Sequence, residues 1–165
     1  MTVRRMTPDD IEVVREVARE TWNDAYQDII PELERAVSVE RAYARKVLEW
    51  RMEGGTFLVA EWRDEVVGFA DFSSRPDEPW EVYLAALYVL PSMQGRGVGS
   101  RLLDEGIRLF PAARFVVLRV LRDNVAARRF YEARGFSPVE EHPWWLWSGG
   151  VVYELEMVRE LGVRA

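Results

Sequence analysis

Apolar residues at Ile11, Val14, Val17, Ala18, Trp22 and Ala25 stand three and four apart, which predicts an amphipathic helix. Thr7-Pro8-Asp9-Asp10 reads as its start: a capping threonine, a proline at the first helical position and acids in the first turn. Residues 2–6 predict a short first strand. Pro31 interrupts the helical pattern. Ser38 then caps a second predicted helix, with Val39, Ala42, Tyr43, Val47 and Trp50 on one side and Gly54-Gly55 at its end.

The pattern then shifts to β-formers. Thr56 to Trp62 and Val66 to Phe72 flank the turn-like Arg63-Asp64-Glu65 and predict an antiparallel hairpin. Arg75 to Pro79 reads as a loop, and Trp80 to Leu90 as a long apolar strand suited to the interior of a sheet. Beyond Pro91 a helix follows, with Val98, Leu102, Leu103 and either Leu109 or Phe110 inward, stopped by Pro111. Phe115 to Val120 is a strand, and Asp123 or Asn124 caps a helix running to Arg134 with Gly135 as its C′ residue. The tail holds a strand from Phe136, the indoles Trp144, Trp145 and Trp147, a Gly149-Gly150 turn and a strand from Val151 to Val158. The order β-α-α-β-β-β-α-β-α-β-β is an α/β chain with a mixed sheet and a parallel βαβ unit at its centre.

At about 150 residues per domain, 165 residues predict one domain, 1–165. With 48% hydrophobic residues a core forms without staples. No apolar run approaches the roughly 20 residues of a membrane span, and no signal peptide precedes the first strand, so the expectation is a cytoplasmic protein. The absence of cysteine excludes disulfides and a thiol nucleophile, and with His142 the only histidine no metal centre is expected. A net charge of −6 argues against a nucleic-acid partner.

The chemistry gathers at Gln94-Gly95-Arg96-Gly97-Val98-Gly99. Glycine lets backbone N–H groups approach an anion closely, and a helix start adds orphan donors and a positive dipole end. Together they form a diphosphate cradle. No Gly-Lys-Ser/Thr follows, which excludes a nucleotide P-loop. A dinucleotide loop would carry its third glycine at Ser100 and would open the fold, whereas here two helices and three strands precede it.

Gln94-x-x-Gly97-x-Gly99, after Leu87-Tyr88-Val89-Leu90-Pro91, resembles the acetyl-CoA-binding motif of the GNAT superfamily of N-acetyltransferases. Asn124-x-x-Ala127-x-x-Phe130-Tyr131-Glu132-x-x-Gly135-Phe136 resembles the family's second motif, at the family spacing. The resemblance covers nearly the whole chain and implies the GNAT fold. It implies acetyl-CoA as co-substrate, with its diphosphate on the amides of Gln94, Gly95, Arg96, Gly97, Val98, Gly99 and Ser100 and a further charge from Arg96 or Arg101. Leu87 and Val89 would offer backbone groups to the pantetheine, and Asn124 a hydrogen bond; Ala127 and Phe130 belong to the same motif. Tyr131 would protonate the departing thiolate. The family's glutamate on the strand before the loop falls at Tyr83 here, so Glu81, two residues earlier, is the candidate base, directly or through a water.

Trp22 and Tyr26, one turn apart, line the acceptor pocket or pack in the core. The indoles at 144, 145 and 147 serve packing, a homodimer contact or the acceptor site, and His142 reads as a loop residue near that site's mouth. The expected reaction is direct attack of a primary amine on the thioester, the acceptor being a small amine or an amino-acid-like molecule. A protein N-terminus or lysine is the alternative acceptor, and a non-catalytic acyl-CoA-binding regulator the alternative role.

Overall fold

The computed structural model describes residues 1–54 and 56–162. Strand β1 (Thr2–Arg5) leads through a 3-10 turn at Pro8–Asp10 into helix α1 (Ile11–Tyr26). The predicted start is present as a reciprocal cap: the Asp10 carboxylate accepts from the backbone N–H and hydroxyl of Thr7. Arg4 grips the same carboxylate in a two-point ion pair and holds the Asp10 pKa down to about 2. It also reaches Glu61, so β1, the head of α1 and the hairpin are tied at one guanidinium.

The single helix predicted from Ser38 is two helices. Helix α2 (Glu32–Ala42) starts directly after Pro31, with Glu32 and Glu34 in its first turn, and Ser38 lies inside it. The chain turns extended at Ala44 and re-enters helix as α3 (Arg45–Glu53). The break turns Val39, Tyr43 and Leu48 inward and leaves Trp50, expected on one side with Val39 and Tyr43, exposed. Of the predicted Gly54-Gly55 end, Gly54 returns its N–H to the Trp50 carbonyl, and Gly55 lies outside the described residues.

Strands β2 (Thr56–Trp62), β3 (Glu65–Arg75) and β4 (Glu78–Val89) form a continuous meander. The loop predicted at Arg75 to Pro79 is a tight hairpin, with Arg75 and Glu78 paired both in the ladder and by charge. A 3-10 turn at Pro91–Met93 and the glycine loop lead into α4 (Val98–Arg108), then β5 (Phe115–Leu121), α5 (Val125–Glu132), β6 (Ser137–Trp145) and β7 (Val151–Glu160). The sheet order is β1-β2-β3-β4-β5-β7-β6, with β4 and β5 parallel and every other pair antiparallel. His142, expected in a loop, is a ladder residue of β6 opposite Glu154.

Helix α4 and Tyr131 of α5 pack on one face of the sheet, in a core built on Phe72, Leu84, Leu102, Leu103, Leu118 and Met157. Helices α1 to α3 pack on the other, around Ile11, Val14, Leu48, Phe57 and Phe69. Phe110 packs on the first core and Leu109 stays exposed, which settles the choice left open at the end of α4. No helix among the described residues is long and apolar enough to cross a membrane.

Strand β4 exchanges its two faces part-way. Asp71 pairs with Ala86 and Phe72 with Leu84, so Ala85 is an extra residue, a β-bulge. Before it, Val82 and Leu84 enter the α4 core; after it, Ala86 and Tyr88 join the α1 side, while Leu87 and Val89 lean on the α4 core.

Helix α4 seats on the sheet because Gly106 has no side chain. A Cβ there would lie 2.0 Å from the Phe72 ring. Gly106→Ala is therefore expected to cost about 1–3 kcal/mol by overpacking and to lower the thermal midpoint, with Phe72→Leu in the same chain recovering part of the loss. An unchanged midpoint for the single variant would show that the helix can shift freely.

Candidate functional site

The site begins where two parallel strands part. β4 and β5 pair only from Glu81↔Phe115 to Leu84↔Leu118. Past that point β4 runs on to Val89 against β3, and β5 to Leu121 against β7. A cleft of about 1110 Å³ opens between them, large enough for a cofactor-sized ligand.

The cleft wall carries backbone groups that no neighbouring strand pairs. Leu90 donates its N–H to Val67 on the β3 side. By antiparallel alternation Tyr88 and Ala86 also turn their backbone groups to β3, and Leu87 and Val89 turn theirs to the unpaired edge. Gln94 confirms this for Val89, since its side-chain amide donates to the Val89 carbonyl at 3.1 Å.

At the far end lies the glycine loop. Gly95 and Gly97 have φ of +73° and +81°, and a Cβ on either would meet only open space. These left-handed positions aim the chain so that the first intrahelical bond of α4 runs from Arg101 N–H to the Gly97 carbonyl. The N–H groups of Val98, Gly99 and Ser100 are the helix's orphan donors, and they open on the cleft. Gly99 also admits the Phe130 ring, 3.2 Å from where its Cβ would be. Arg134 stacks on that ring, 3.6 Å from its centroid, and donates to Ser100 Oγ. A guanidinium therefore stands beside the orphan amides, a second attraction for a phosphate.

Helix α5 forms the opposite wall with Ala127, Phe130 and Tyr131. Asn124 is the cap: its Oδ1 accepts the Ala127 N–H at 3.2 Å. Tyr131 is wedged edge-on between Phe130 and Phe136, and its hydroxyl makes no hydrogen bond with another described residue. Burial pushes its pKa well above the ordinary tyrosine value, with Arg134 opposing, so the hydroxyl keeps its proton at neutral pH. Gly135 closes the helix at φ +85°, and Phe136 returns its N–H to the Tyr131 carbonyl.

The other half of the cleft is aromatic. Trp22 and Tyr26 meet edge-to-face at 5.1 Å, and the Tyr26 and Tyr88 hydroxyls share a hydrogen bond of 3.0 Å. Trp144, Tyr83, Arg119 and Glu154 also line the cleft, with Asp24, Tyr43 and Arg51.

The family model described as the acetyltransferase (GNAT) family matches residues 15–136. This chain belongs to the GNAT acetyltransferase family. It is 26% identical over 140 residues to a probable N-acetyltransferase of Mycobacterium tuberculosis, covering 81% of this chain and 78% of that one. It is 34% identical over 113 residues to mycothiol acetyltransferase of Corynebacterium diphtheriae, covering 64% of this chain and 36% of that longer protein. The fold matches PaiA N-acetyltransferase of Thermoplasma acidophilum, solved in complex with coenzyme A, with a TM-score of 0.84 and 22% identity over 97% of this chain and 98% of that one.

Within this GNAT domain most of the residues singled out by sequence meet in one cleft: Trp22, Tyr26, Tyr83, Leu87, Val89, Gln94, Gly95, Gly97 to Ser100, Asn124, Ala127, Phe130 and Tyr131. Arg96 and Arg101 are exposed and outside the lining, and Arg134 holds the position by the amides instead. Glu81 lies at the start of β4 on an open sheet face with Phe115 and Val158, outside the cleft lining. The β4 residues that line the cleft run from Tyr83 to Val89, at and beyond the end of the pairing with β5, and Glu81 lies short of them. Glu154 is the carboxylate that lines it from β7. Arg134 was legible as a residue of the second motif's helix end. Glu154 was not, because nothing local shows that β7 inserts between β5 and β6.

The indoles separate. Trp144 packs against the α1 side and lines the cleft, whereas Trp145 and Trp147 are exposed. What holds this hairpin down is Glu34 of α2, 1% exposed, whose carboxylate accepts the backbone N–H groups of Trp147 and Ser148. Glu34→Ala is expected to leave both donors unpaired, to cost about 1.5–3 kcal/mol and to alter tryptophan fluorescence in the folded state. Fluorescence and thermal midpoint both unchanged would show that the tie does not hold the hairpin.

Proposed function

We propose that this chain transfers the acetyl group of acetyl-CoA to a primary amine by direct attack while both are bound. The observation that carries the reading is the unpaired β4 edge, which shares one cleft with the glycine loop and Tyr131. The residues present fit the co-substrate. The Val98, Gly99 and Ser100 amides and Arg134 suit its diphosphate. The backbone groups of Leu87 and Val89 and the amide nitrogen of Asn124 suit its pantetheine amides. Bound there, acetyl-CoA supplies an acyl group already activated as a thioester.

A β4 backbone N–H near the parting point can stabilise charge growing on the carbonyl oxygen. Tyr131, kept neutral by burial, can give its proton to the leaving sulfur. Since a thiol pKa of about 8.5 already makes a fair leaving group, its gain lies within the roughly 10²–10⁴-fold range of acid catalysis. A chain without cysteine offers no thiol for a covalent acetyl-enzyme, which favours direct transfer. The aromatic end of the cleft suits a small amine or amino-acid-like acceptor. The other acceptor class is a protein amine, which an N-terminal peptide in the amine screen would reveal.

Calorimetric titration with acetyl-CoA, CoA and NAD in parallel tests the site. The expected result is binding of the first two and no signal from NAD, followed by thiol release in an amine screen. Gly97→Val is expected to abolish acetyl-CoA binding in a chain that still unfolds cooperatively. Normal affinity in that variant would remove the loop from the site. Tyr131→Phe is expected to lower kcat at least tenfold while leaving acetyl-CoA affinity within a few fold; an unchanged kcat would remove Tyr131 as the acid.

A further inference from the structure

The cleft contains a half-buried carboxylate that no other described residue bonds, Glu154. Two other sheet acids are engaged by charged partners. Asp71 is clamped by Arg51 at 2.7 Å, and Glu156 lies between His142 and Arg119. Asp24 also lines the cleft, but it is exposed on α1.

Ladder register sets Glu154 in place. It stands opposite Leu121, the last residue of β5 and part of the cleft lining, and opposite His142 on the other side. Tyr26 is within electrostatic reach of both Glu154 and Tyr131, so the carboxylate and the proposed acid approach one cavity from β7 and α5. The groups around Glu154 are Tyr26 of α1, Tyr83 of β4, Arg119 of β5 and His142 of β6, with Glu156 beyond His142 on β7.

We infer that Glu154 is the catalytic base of this site, binding the acceptor as an alkylammonium ion and taking one proton from its nitrogen. The inference rests on the acetyl-transfer reading above. The proton passes to a Glu154 oxygen, and the freed lone pair forms the C–N bond. The C–S bond breaks with its electron pair leaving on sulfur, and that sulfur takes the Tyr131 proton. The surplus proton of the new amide nitrogen restores Tyr131 through water, and the Glu154 proton leaves to solvent. Aromatic groups beside the carboxylate select a primary ammonium with an apolar or aromatic tail.

Burial pushes the Glu154 pKa above the ordinary glutamate value, while Arg119 and His142 pull it down. A raised pKa brings a carboxylate nearer to the basicity proton removal needs. Activity then rises with pH through the pKa of Glu154 as its carboxyl ionises.

The test compares 2-phenylethylamine, protonated at neutral pH, with hydroxylamine, largely neutral there. E154Q is expected to lower kcat/KM for 2-phenylethylamine about a hundredfold and to remove the acid limb of its pH profile, with a clearly smaller loss for hydroxylamine, which has no proton to shed before attack. E154D should recover part of the loss. Equal losses for both amines, or none, would overturn the inference. A second measurement needs neither turnover nor a variant. In wild-type chain with CoA, 2-phenylethylamine should saturably shift the Glu154 carboxyl carbon resonance, and no shift overturns the assignment. Failure of the acetyl-transfer reading shows separately, as absent acetyl-CoA binding in calorimetry.

Discussion

The active cleft depends on a broken pairing between two parallel strands. β4 and β5 stay together for four residue pairs, Glu81 to Leu84 with Phe115 to Leu118, and then separate. Unpaired backbone groups inside a protein are costly unless a ligand or water meets them. The parted edge therefore has its own chemical specificity: it suits an extended molecule with amide groups. The surrounding structure keeps the gap open. β4 remains held by β3 through the bulge at Ala85, β5 remains held by β7, and α4 and α5 flank the opening.

The bulge has a further consequence. One inserted residue exchanges the faces of β4, so that Val82 and Leu84 support the α4 core while Ala86 and Tyr88 serve the α1 side beyond it. Tyr88 thereby reaches the Tyr26 hydroxyl, and the main-chain groups of Leu87 and Val89 reach the cleft. A regular strand would have sent Tyr88 into the opposite core. The same irregularity builds the aromatic end of the cleft and the backbone edge.

Charge follows the same division of the cleft. Orphan amides of α4 and the Arg134 guanidinium make one end attractive to anions. The other end has the rings of Trp22, Tyr26, Tyr88 and Trp144 and the carboxylate of Glu154, with the Arg51 and Arg119 guanidiniums also in the lining.

Much of this was legible in the chain, and the limit has a physical cause. Helical spacing in α1, the glycine run at 95 to 99 and the Asn124 to Phe136 segment are local patterns, fixed by neighbours within a few residues; they gave the element order apart from the division of the second helix, and they marked the loop and the helix that line the cleft. Local signals failed where packing decides. The break between α2 and α3 at Tyr43 and Ala44, the exposure of Trp50 and the strand placement of His142 all follow from contacts with distant segments. So does the exchange of candidate residues: Arg134 for Arg96 or Arg101 beside the loop, and Glu154 as the cleft carboxylate in place of Glu81. Sequence determined which chemistry the chain carries, because capping, turn geometry and glycine freedom act locally. Tertiary structure alone decided which groups meet, because the β7 insertion between β5 and β6 and the one-residue bulge are properties of strand pairing across the whole sheet.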